Sequence, residues 1–123
     1  MSRYSVFNRT KQTLLASEVE LAGTGWARMK GLLGRSAAEV PPGKGLWIVP
    51  SQGVHTIGMS FPIDVVYLDS SGRVLRLYHE LATFRLAAVK LKARSVLELA
   101  AGTLSRSHTA VGDVLEIREL SER

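Results

Sequence analysis

The sequence predicts one mostly β domain, on three observations. Short runs rich in Val, Ile, Leu and aromatic residues recur between Gly, Pro and Asp-Ser signals. Few segments hold a 3.6-residue apolar period for long. The chain has 123 residues, 46% hydrophobic and 22% charged, which suits a single core burying roughly two-thirds of the unfolded surface.

Residues 4–8 and 12–22 read as early strand material, with Glu18-Val-Glu-Leu21 alternating polar and apolar as a half-buried strand does. Thr24 is placed to cap a short helix carrying Trp26, Met29 and Leu32 or Leu33 on one face, and Gly34 is a stop. Pro41-Pro-Gly-Lys-Gly45 must be loop, since prolines remove backbone donors and glycines permit positive φ. Residues 46–49 form an apolar run closed by Pro50, a buried strand. Residues 65–68 are another, and Asp69-Ser-Ser-Gly72 joins them to an arm over 73–78 as a hairpin. Lys90, Lys92 and Arg94 alternate with Leu91 and Ala93, which would put three cations on one face of an extended segment. Edge strands carry the same pattern to discourage aggregation. Residues 95–99 are a further strand, 100–104 turn through about one helical turn, and Gly112-Asp113 leads into a closing strand over 114–120.

Composition removes several chemistries. With no cysteine there is no disulfide framework, thiolate zinc site or thiol nucleophile. The start of the chain lacks the apolar stretch of a signal peptide, and no run of about 18 apolar residues is present, so a cytoplasmic protein that does not enter a membrane is expected. The net charge of +5 and pI near 10 invite a polyanion, but the cations are scattered and no block of five or six forms. Nucleic acid is therefore disfavoured as a partner, and a small molecule or protein is expected instead. No P-loop, dinucleotide fingerprint or nucleophile elbow occurs, and no His pair is spaced as H-x-H or H-x-x-x-H, so neither a cofactor nor a metal is assigned.

The ordered set Lys30-Gly-Leu-Leu-Gly-Arg35, Gly45-Leu-Trp47, the block from His55 to Asp69, Val96-Leu-Glu-Leu-Ala-Ala-Gly102 and Gly112-Asp113 resembles the bacterial and archaeal family called domain of unknown function 192. The resemblance covers roughly residues 12–120. It implies an antiparallel jelly-roll-like sandwich or barrel with one or two short helices, and it implies no established activity. Many relatives carry Cys near the position of Ser51, so a role needing a thiol there does not transfer.

The central block His55-Thr-Ile-Gly-Met-Ser-Phe-Pro-Ile-Asp64 is the most informative stretch. Two readings of it stand side by side. In the first, His55 and Asp64 satisfy buried backbone groups and lock a loop, because a carboxylate leading into four apolar residues needs a partner. In the second, His55, Thr56, Met59, Asp64 and Glu98 line a pocket, with Lys90, Lys92 and Arg94 favouring an anionic ligand. By alternation Glu98 faces away from Leu97 and Leu99, where it would meet water. The leading expectation is a non-enzymatic ligand-binding or interaction domain. The alternatives are a hydrolase- or lyase-type enzyme using His55 with Asp64 or Glu98, and weak nucleic-acid binding. No residue is assigned as catalytic.

Overall fold

The computed structural model describes residues 2–23, 40–51, 61–81 and 92–121. Seven strands and one short helix follow one another as β1 (Arg3–Asn8), β2 (Thr13–Ala22), β3 (Lys44–Ile48), β4 (Ile63–Leu68), β5 (Val74–Leu81), β6 (Ser95–Ala100), α1 (Thr103–Ser107) and β7 (Leu115–Glu119). All strands join one sheet in the order β5-β4-β6-β3-β2-β1-β7. The expected helix after Thr24 lies outside the described residues.

The mostly β expectation holds, but the sheet is mixed. β2 and β3 pair in parallel, with Glu18 opposite Lys44 and Ala22 opposite Ile48. Parallel neighbours need a crossover of a dozen or more residues, which residues 23–43 supply. The remaining pairings are antiparallel, including the β4–β5 hairpin expected from Asp69-Ser-Ser-Gly72.

The sheet curls into a half-barrel, and its two ends touch. Arg73 bridges Val114, while Val74 N donates to Asp113 O and Leu115 N donates to Gly72 O, each at 2.8 Å. The inner face gathers Val6, Val19, Val66, Leu68, Leu97, Leu99, Leu104 and Leu115. A second cluster, with Leu46, Ile48, Ile63, Val65, Tyr67 and Val96, covers the opposite face of the same central strands. Every residue of β4 and β6 is consequently buried. This explains why both read as nearly continuous apolar runs rather than as alternating strands.

A buried polar cluster ties the β1–β2 turn to the segment before β7. Asn8 Nδ2 donates to Thr109 Oγ1 at 3.1 Å and to Asp113 Oδ2 at 2.9 Å, and Lys11 Nζ meets Asp113 Oδ2 at 2.8 Å. Burial pushes the Asp113 carboxyl up, but the bonds from Asn8, Lys11 and the Ala110 amide outweigh it and hold the group below the usual carboxylate range. Since the folded pKa lies below the unfolded value of about 3.9, the stabilisation is present above that value and is lost as pH falls through the folded pKa. Urea unfolding between pH 6 and pH 3 should therefore show a shallower loss of stability below about pH 4 in Asp113→Asn than in the parent chain.

Candidate functional site

Asp64 is fully buried, and both of its oxygens hold backbone amides. Oδ1 accepts from Glu80 N and Oδ2 from Leu104 N, each at 2.8 Å. The two amides are places where local structure fails to supply an acceptor. Glu80 has φ +49, at the irregularity where the β4–β5 register shifts. Helix α1 begins at Gly102 with no side-chain cap, so Asp64 caps it from another strand. Asp64 matches the first reading of the central block, a carboxylate that satisfies the backbone and locks the fold.

Glu98 does not face water. It is 3% exposed, beneath the cover of the second cluster. Alternation correctly turned it away from Leu97 and Leu99, but both faces of β6 are covered. Glu98 pairs with Leu46 on one side and Val65 on the other, whereas Asp64 pairs with Leu99. Directly paired residues share a face. Asp64 therefore belongs to the inner face and Glu98 to the opposite one, and the two carboxylates do not converge. His55, Thr56 and Met59 lie outside the described residues, as does Lys90.

Among the anion-contact candidates, Lys92 and Arg94 are both exposed, Lys92 in a turn and Arg94 just ahead of β6. They do not continue a strand with alternating cations, because the chain at residue 92 is still turning into β6. Arg94 N donates to Leu68 O at 2.7 Å and its carbonyl accepts from Ser51 N at 2.9 Å, so the β4–β6 ladder ends at the Leu68–Ser95 pair.

At this point the curled sheet opens into a cavity of about 220 Å³. Trp47, Leu68, Leu115 and Ile117 give it apolar walls, and Asp69, Ser70, Ser71, Arg94 and Ser95 give it polar ones. The mouth exists because β3 and β4 end here, and because the Asp69–Gly72 turn reaches over to β7. Asp69 organises that turn by accepting at Oδ1 from Ser71 N at 2.9 Å, Ser71 Oγ at 2.7 Å and Arg73 N at 3.0 Å. The Ser71 hydroxyl bond, above all, holds the Asp69 carboxyl below its usual range against the opposing effect of burial. Arg94 forms no ion pair with any described residue. Trp47 stacks edge-on against Tyr4, with ring centroids 5.1 Å apart, and its buried Nε1–H finds no acceptor among the described residues.

Another cavity, about 360 Å³, lies over Ser5, Phe7, Leu14, Glu116 and Arg118. Its charges cancel, since Arg118 Nη2 meets Glu116 Oε2 at 2.8 Å. The barrel mouth is the better binding candidate because no described acid pairs with its cation. Sequence reasoning reached Arg94 by its charge but placed Trp47 in the core and Asp69 only in a turn. Nothing in the local pattern marks the closure of the sheet that brings them together.

The family model of domain of unknown function 192, described as "Uncharacterized ACR", matches residues 6–117. The chain belongs to this family. Among solved structures, a protein of unknown function from Novosphingobium aromaticivorans DSM 12444 superposes with a TM-score of 0.77 at 20% identity, covering 93% of this chain and 83% of its own. A protein from Sinorhizobium meliloti 1021 with a provisional label as a transcription regulator has a TM-score of 0.77 at 23% identity, covering 94% and 92%. Both likenesses speak to the fold. No curated protein matches the chain. None of the described helices is long and apolar enough to cross a membrane.

Proposed function

We propose that this member of the family is a small non-enzymatic binding domain that takes an anionic ligand at the barrel mouth. The observation that carries the reading is Arg94, an exposed cationic residue lining a concave, partly apolar cavity, with no described acid paired to it. Guanidinium groups recognise carboxylates and phosphates through paired, charge-assisted hydrogen bonds. The enzymatic alternative loses support where Asp64 is concerned, because a fully buried carboxylate holding two amides has no free oxygen facing a substrate. The reading puts the site at the end of β4 away from Asp64, where Leu68 and Asp69 line the cavity. At about 220 Å³ the cavity is smaller than the roughly 300–1,000 Å³ typical of drug-sized ligands, which favours a metabolite-sized molecule.

Isothermal titration with acetate, 4-methylpentanoate, benzoate and inorganic phosphate tests the reading. At least one anion should bind, and Arg94→Ala should weaken it by about ten- to a hundredfold, the value of a charged hydrogen bond. The same variant should unfold within about 0.5 kcal/mol of the parent, since Arg94 is exposed. An absence of binding by every anion, or binding indifferent to Arg94→Ala, would sink the proposal.

A further inference from the structure

The geometry points to a zwitterionic ligand at the barrel mouth, a free α-amino acid or a molecule of that charge pattern; this rests on the binding reading above and specifies it. The cavity carries two opposite charges that are not spent on each other. Arg94 and Asp69 both line it. No ion pair joins them, and the Asp69 carboxylate is bonded within its own turn. Its Oδ1 is held inside the turn by three donors, which orients the carboxylate toward Ser71 and Arg73 and leaves Oδ2 outside those bonds.

A carboxylate ligand satisfies Arg94 but brings a like charge beside Asp69. A ligand that also carries an ammonium group turns this repulsion into a second contact, with the carboxylate on Arg94 and the ammonium on Asp69 Oδ2. The third feature is the buried indole N–H of Trp47, which lines the same cavity and has no described acceptor. Leaving such a donor unmet is costly, and a ligand oxygen reaching it removes that cost. The apolar walls from Leu68, Leu115 and Ile117 would receive the ligand's side chain.

Three matched probes separate the charges: L-leucine, 4-methylpentanoate, which lacks the amine, and 3-methylbutylamine, which lacks the carboxylate. L-serine and L-glutamate sample other side chains. An amino acid should bind at least tenfold more tightly than 4-methylpentanoate, and the amine should bind weakest. Asp69→Asn keeps an oxygen for the turn, because asparagine supports the same local bonds. It should weaken the amino acid about tenfold or more while leaving 4-methylpentanoate unchanged or tighter. Arg94→Ala should weaken both. On binding, the indole cross-peak that Trp47→Phe removes should shift downfield in a ¹⁵N–¹H spectrum of the full chain. If 4-methylpentanoate binds as tightly as every amino acid tried, or Asp69→Asn leaves the amino acid unaffected, the zwitterion inference is overturned while the anion reading stands. If neither class binds, both fail.

Discussion

Asp64→Ala should lower the free energy of unfolding by about 3–5 kcal/mol, a large share of the roughly 5–15 kcal/mol that holds a domain of this kind together. The substitution strips the acceptor from two amides at once, Glu80 N and Leu104 N, and Leu104 is fully buried. A buried donor left without a partner costs about 1–3 kcal/mol. Asp64→Asn keeps one acceptor and turns a donor toward the second amide, so it should recover only part of the loss. Urea midpoints give the magnitudes. Hydrogen exchange locates the effect, with the Glu80 and Leu104 amides losing protection in both variants. A change below about 1 kcal/mol would mean that the carboxylate is not holding these amides, and would reopen a chemical role for it.

Gly72→Ala should cost about 2–4 kcal/mol and should also weaken ligand binding at the barrel mouth. Gly72 has φ +84, and a Cβ there would stand 2.5 Å from Leu115 O. A non-glycine residue in that backbone region costs about 1–3 kcal/mol before any collision. The collision is with backbone, which cannot swing away. It also falls on the contact that closes the half-barrel, since Leu115 N donates to Gly72 O at 2.8 Å. Gly112→Ala provides the comparison, because Gly112 has φ +93 but nothing within 4 Å of a new Cβ. It should show the backbone cost alone, about 1 kcal/mol, and leave binding intact. Equal losses for the two variants would show that the Gly72–Leu115 contact contributes nothing beyond strain.

These two sites mark where reading the chain succeeds and where it stops. The hairpin over Asp69–Gly72 was legible because its turn chemistry is contained in four adjacent residues, and the structure keeps it. The demand that Asp64 have a partner was also legible, since an acid leading an apolar run cannot be buried alone. Its partners were not, because one of them is an amide in a helix that begins beyond β6. Glu98 shows the same limit. Its side of the strand followed from alternation, but a period of two says which residues share a face and not what lies over that face.

From the sequence alone came the mostly β class, the positions of the strands except that β3 starts at Lys44 inside the stretch read as loop, the Asp69–Gly72 hairpin and the family to which the chain belongs. All of these depend on residues close together along the chain or on an ordered set of short blocks. Only the tertiary structure decided that β2 and β3 run parallel, that Asp64 and Glu98 face opposite ways, and that Arg94, Asp69 and Trp47 share one cavity. Each of those facts depends on which strands become neighbours and on the curl that joins β5 to β7. Such pairings are chosen by burial summed over the whole sheet, which no local run of residues records.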